Sequence, residues 1–106
     1  MTRNKKQEKQ HNLIYMEIGA RIMEWRKKKG YSQGQLASGL GLTRTSIVNT
    51  EKGRQCISVE SLIKCCAIFG CEAKDLLPPT PKAVAKEIRK VKKVVHEKLL
   101  DVNFKW

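Results

Sequence analysis

Apolar positions along the chain fall into a series of helical stripes divided by glycines and prolines. Between residues 13 and 29, Ile14, Ile18, Ile22 and Trp25 recur at intervals of four, four and three, the spacing of one helix face. Glu17 and Glu24 stand ahead of the basic run 27–29, an order that suits the helix dipole. Gly30 is a natural residue for the C-terminal turn, and Tyr31 is expected to fold back as an apolar anchor. Ser32 with Gln35 three residues on reads as a capping box opening a second helix, which carries Leu36, Ala37 and Leu40 on its inner face. Gly34 and Gly39 lie inside that helix, each costing about 1 kcal/mol relative to alanine. It is therefore expected to be the least stable regular element of the free protein.

Gly41 marks a tight turn that needs positive φ, Leu42 plugs it, and Thr43 caps a third helix over residues 44–52. Ile47 heads the apolar side of that helix, and Gly53 ends it. A fourth helix starts at Ser58 and turns Leu62, Cys65, Cys66 and Phe69 inward before Gly70. Cys71 and a short turn close the unit at Pro78.

Three flanking regions differ from this body. Residues 1–12 show no apolar periodicity and read as a disordered basic arm. Residues 79–81 are a Pro-rich stiff linker. Residues 82–106 form an amphipathic C-terminal helix, with Val84, Ile88, Val91, Val95, Leu99 and Val102 along one side. Lys86, Arg89, Lys90, Lys92, Lys93 and Lys98 crowd the other. Such a helix cannot bury its stripe alone. The occupants open to it are a second copy of itself, its own domain, a foreign protein or a membrane surface.

The core of the pattern, SQGQLASGLGLTRTSIVNTEKG over residues 32–53, is two short helices about one glycine, with small Ala37 where they cross. Together with IGARIMEWRKKKGYSQ before it and SVESLIKCCAIFGCEAKDLL after it, this stretch resembles the lambda-repressor/Cro-like, or Xre-like, helix-turn-helix DNA-binding family. The likeness covers roughly residues 14–78. It implies an all-α fold: a five-helix domain over 13–78 whose third helix enters the DNA major groove, here followed by the basic C-terminal helix.

Charge agrees with that implication. The chain of 106 residues carries a formal net charge of +12, of which +3 lies in residues 1–12, +4 in 13–81 and +5 in 82–106. Basic excess in every segment favours a polyanionic partner. The four cysteines, Cys56, Cys65, Cys66 and Cys71, lack the paired spacing of a zinc site and fall mostly where the family holds core residues, so they read as buried structural thiols. No signal peptide or membrane-length apolar run is seen, which predicts a cytoplasmic, nucleoid-associated protein with reduced thiols. No acid–base pair, activated nucleophile or phosphate loop stands out, so neither an enzyme nor a cofactor or metal is expected.

The resemblance also assigns roles. Arg44, Thr45 and Asn49 stand where family repressors read bases, with Val48 able to meet a thymine methyl; Arg44 suits guanine and Asn49 suits adenine. Gln33 stands where the family holds a phosphate, and Thr43, Ser46, Lys52, Arg54 and Gln55 flank the groove as phosphate contacts. Arg26 and Glu51 occupy positions that often form an orienting ion pair. Leu76 and Leu77 lie at the end of the domain used for dimer contacts, which Val84, Ile88, Val91, Val95 and Leu99 could extend. The function implied is sequence-specific binding of a pseudo-palindromic double-stranded operator by a homodimer, acting as a repressor by occupancy, as in many mobile-element regulators. The rivals are an antitoxin-like protein that binds a protein partner through residues 82–102, and non-specific coating of nucleic acid.

Overall fold

The computed structural model describes residues 4–79 and 82–101. Among these residues the chain is all-helical: α1 is Lys5–Lys28, α2 Gln33–Leu40, α3 Arg44–Glu51, α4 Val59–Phe69, α5 Ala73–Leu76 and α6 Lys82–Asp101. Thr80 and Pro81, in the predicted linker, lie outside the described residues.

Side-chain caps set the starts of the three middle helices. Ser32 Oγ accepts from the Gln35 N–H and the Gln35 side chain accepts from the Ser32 N–H, so the capping box is complete. Thr43 Oγ1 accepts from the Ser46 N–H, and Ser58 Oγ from the Ser61 N–H. Gly41, at φ 68°, ends α2 in the left-handed region, where a side chain would be strained.

The core is aliphatic with one aromatic ring. Ile18 and Ile22 of α1 meet Leu36, Ala37 and Leu40 of α2, Ile47 of α3, Leu62, Cys65 and Phe69 of α4, and Leu76 of α5. Burial pushes the Cys65 thiol up to about 12, with its neighbours Cys66 and Cys71 adding to the effect. Cys71 rises to about 11, mainly by burial and then through Cys66. Both shifts favour the protonated thiol, the less nucleophilic form. Cys56 departs from the expected buried set: it is exposed, with Sγ 3.5 Å from His11 Nε2.

Several expectations are corrected. The arm predicted over residues 1–12 is helical from Lys5 onward, so α1 begins eight residues before the predicted Leu13. KKQEKQHN has no apolar stripe, but lysine, glutamine and glutamate are good helix formers. A helix already nucleated by its packed half propagates through them at low cost. His11 packs against Tyr15 one turn on, with ring centroids 4.8 Å apart and the rings tilted by 52°. Tyr31 is exposed rather than an anchor; its carbonyl, not its ring, does the holding, accepting from Arg26 Nη1 at 2.9 Å. Leu42 plugs the turn only in part, with 36% of its surface open.

Two close approaches were not foreseen. A Cβ on Gly19 would run into the carbonyl oxygen of Thr50 and lie 2.7 Å from that of Glu51, so α1 and α3 meet backbone to backbone there. Gly39 is less constrained: a Cβ would sit 3.0 Å from Ile68 Cδ1 of α4, a side-chain tip that can move aside.

Candidate nucleic-acid interface

One side of α3 is fixed and the other left open. Ile47, Thr50 and Glu51 are buried, while Arg44, Thr45 and Lys52 are exposed and Val48 and Asn49 half-buried. Thr50, polar at a buried position, satisfies its hydroxyl by donating to the Ser46 carbonyl at 2.8 Å, so burial leaves no orphaned group.

An ion pair locks α3 to α1. Arg26 Nε donates to Glu51 Oε2 at 2.6 Å and Nη2 to Oε1 at 3.1 Å, a two-pronged pair whose side chains are 9% and 2% exposed. The predicted partners thus meet. Gln33 joins them: its amide nitrogen donates to Glu51 Oε1 at 3.1 Å, and its amide oxygen accepts from Arg44 Nη2 at 3.5 Å. The chain of contacts from Arg26 through Glu51 and Gln33 to Arg44 links the interior to the exposed end of α3. Sequence reasoning placed Gln33 as a phosphate contact and missed this bridge; its position one residue past the Ser32 cap was the available signal.

Beside this network lies an open groove of about 620 Å³ lined by Met23, Arg26, Lys27, Ser32, Gln33, Gly34 and Arg44. The first N–H groups of α2 have no intrahelical acceptor and open at this end. With the Lys27 and Arg44 cations nearby, an anion such as a phosphate suits the groove. Met23 and Lys27 were not singled out from the sequence; they lie on the α1 stretch that passes the start of α2.

A second cluster sits at the far end of α3. The Asn49 carbonyl accepts from the N–H groups of Arg54, at 2.9 Å, and Gln55, at 3.3 Å, which fixes the turn after the helix. Gln55 Nε2 donates to Ser46 Oγ at 2.7 Å. Gln55 and Ser46 are therefore joined, with the Ser46 hydroxyl hydrogen left to donate outward, as is that of the Thr43 cap. Arg54 is exposed beside them.

The candidate partner contacts divide. Leu76 is corrected: it is fully buried, because the short α5 turns it into the core, and it cannot meet another chain without unfolding. Leu77 is 41% exposed, its carbonyl accepting from Arg21 Nη1 at 3.2 Å, an α1–α5 tether that the sequence did not suggest. Ile88, Val91 and Val95 of α6 are exposed, and so is Val94, which the predicted stripe omitted. Val84 and Leu99 lie on α6, with side chains outside those described. Among the described residues no group of three or more His, Cys, Asp or Glu is placed to hold a metal ion, and no helix is long and apolar enough to cross a membrane.

Comparison with known proteins adds the family. Residues 22–76 match the helix-turn-helix family HTH_3. Proteins described as HTH-type transcriptional regulatory proteins are 37% identical over 57 residues in Thermococcus gammatolerans and 39% identical over 57 residues in Thermococcus kodakarensis. Each match takes in 53% of this chain but only 18% of the relative's length. Among solved structures, the restriction-modification controller protein C.AhdI of Aeromonas hydrophila is 30% identical, with 59% of this chain and 96% of that chain covered and a TM-score of 0.56. A hypothetical transcription factor of Neisseria, NHTF, is 29% identical, with coverage of 74% and 84% and a TM-score of 0.57. The SinR/SinI protein complex is 28% identical, with coverage of 79% and 91% and a TM-score of 0.54. The chain belongs to the helix-turn-helix family of the Xre/lambda-repressor type, a family of DNA-binding transcription regulators.

Proposed function

We propose that the protein is a sequence-specific double-stranded DNA-binding regulator that works as a homodimeric repressor in the cytoplasm, by occupying its operator. The observation that carries this reading is the network Arg26–Glu51–Gln33–Arg44. It ties α3 to α1 through Glu51 and reaches Arg44 through Gln33, while Thr45 stays exposed and Val48 and Asn49 half-buried along the same helix. In this reading Arg44 and Asn49 contact base edges, because a planar guanidinium matches a guanine and an amide matches an adenine. Gln33, Thr43, Ser46, Lys52, Arg54 and Gln55 hold phosphates on either side, and Arg26 and Glu51 orient the helix without touching DNA. Residues 13–78 form the DNA-binding unit, joined by the Pro-rich 79–81 to the C-terminal helix. A dimer would set two recognition helices about 34 Å apart on a near-palindrome.

The test is selection of bound duplexes from a random pool at about 150 mM salt, where exposed charges are screened. Wild type is run beside Arg44→Ala/Asn49→Ala. Wild type is expected to enrich a near-palindrome and the double variant to lose it, each base contact contributing roughly 1–3 kcal/mol of discrimination. Binding without enrichment by either protein would replace this reading with non-specific coating of nucleic acid, which the charge of +12 would drive. A partner protein on residues 82–102 is the second reading. It is favoured by the exposed apolar side of α6 and by the likeness to a regulator solved in complex with another protein.

A further inference from the structure

Ile88, Val91, Val94 and Val95 of α6 are 42–60% exposed, on a helix of 20 residues. Their spacing fits a heptad in which Ile88 and Val95 take position a and Val91 takes d; Val84, one heptad before Val91, also takes d. Three further features of this register specify what covers the seam. The a positions, Ile88 and Val95, are β-branched, the choice found at a in parallel dimers, while d holds valine in place of leucine. Val94 at g and Leu99 at e are apolar and widen the seam. Position g also holds Glu87, and the e position that follows it holds Lys92. In a parallel pair, g of one helix stands opposite the next e of the other, so Glu87 and Lys92 are matched in charge, twice per dimer.

We propose that α6 pairs with α6 of a second copy as a parallel, in-register two-stranded coiled coil. This rests on the homodimeric reading above and gives it an orientation. Antiparallel packing is disfavoured by the same residues. Setting Val95 against Val91 places Ile88 opposite Lys98 and brings the two Lys92 positions together. The other antiparallel stagger, Ile88 against Val91, sets Val84 against Val95 and leaves Lys98 overhanging, so it keeps the apolar seam but loses both Glu87–Lys92 pairs. In this register Lys98 falls at d rather than on the basic side expected from the sequence, and it weakens the parallel seam near its end. Lys86, Arg89 and Lys93 fall on the outer positions, so pairing leaves the basic side open to a polyanion.

Two sets of full-length variants test the proposal, and both leave the core untouched. Glu87→Lys and Lys92→Glu each turn two attractive pairs into repulsive ones. Each alone is expected to weaken the dimer about tenfold in sedimentation equilibrium, since two exposed pairs turn from attraction to repulsion. Mixed in equal amounts, they should form a heterodimer of wild-type strength, because both cross-pairs become attractive again. For orientation, Ile88→Cys with Cys56→Ser should oxidise to a symmetric disulfide, since only in-register parallel helices set residue 88 opposite itself. A dimer whose mass ignores both charge changes, or one that gives no 88–88 disulfide, overturns the coiled coil and leaves DNA recognition by α3 intact. A full-length chain that is monomeric throughout overturns the homodimer as well, and circular dichroism verifies that each variant is folded.

Discussion

α3 and α6 are opposite solutions to making a helix. α3 has eight residues and one deeply buried apolar side chain, Ile47, at 1% exposure. A peptide of that length and polarity is far below what a helix needs to persist in water. Its order comes from outside: the Thr43 cap, the Arg26–Glu51 pair and the close contact at Gly19. α6 is more than twice as long and carries a continuous apolar side, yet its described apolar residues Ile88, Val91, Val94 and Val95 remain at least 42% exposed. The difference is between a helix held by its surroundings and one that has surface still to bury. Amphipathic pattern reports how much apolar surface a helix has, not where that surface goes.

The sharpest way to break this contrast is to remove what holds α3. Glu51→Ala strands the Arg26 guanidinium, buried with its charge, and takes away the acceptor for Gln33. The expected loss is roughly 3–5 kcal/mol in urea unfolding, the cost of an uncompensated buried charge. A loss below about 1 kcal/mol would mean that the Tyr31 carbonyl and entering water satisfy Arg26 unaided. Gly19→Ala tests the same docking from α1. Alanine favours helix by about 1 kcal/mol over glycine. The methyl, however, would press on backbone carbonyls of Thr50 and Glu51 that cannot rotate away. We expect a net loss of about 2 kcal/mol, because overpacking against a fixed wall outweighs propensity. A stabilised variant would show that α1 and α3 can slide apart freely.

Much of the body was legible because local chemistry and tertiary structure agree. Ser32, Thr43 and Ser58 cap the helices they were expected to cap, Gly41 and Gly70 end helices at positive φ, and the Ile18–Ile22 stripe is buried. The pairing of Arg26 with Glu51 followed from family likeness, since no spacing rule joins residues 25 apart. What escaped was set by three-dimensional neighbours. Gly19 reads as an ordinary helix glycine until α3 lies across it. Leu76 sits next to Leu77 in sequence, yet one is core and the other surface, because Leu76 ends α5 on its buried side while Leu77 leaves the helix in extended backbone. Residues 5–12 gave no apolar signal, and periodicity is blind to a helix extended by propensity alone.

The smallest expected effect sharpens the contrast from the other side. Ile88→Ala removes a large apolar side chain, a change that costs 2–5 kcal/mol at typical core positions. Here the side chain is 42% exposed and is not a member of the buried core cluster. Unfolding of the α1–α5 body, followed in dilute solution, should therefore change by no more than about 0.5 kcal/mol. Helix content in α6 should rise slightly, since alanine is the better helix former. If α6 pairs as proposed, the same variant weakens the dimer while its helix improves. If the stripe has nothing to bind, helix content rises and the oligomeric state does not change.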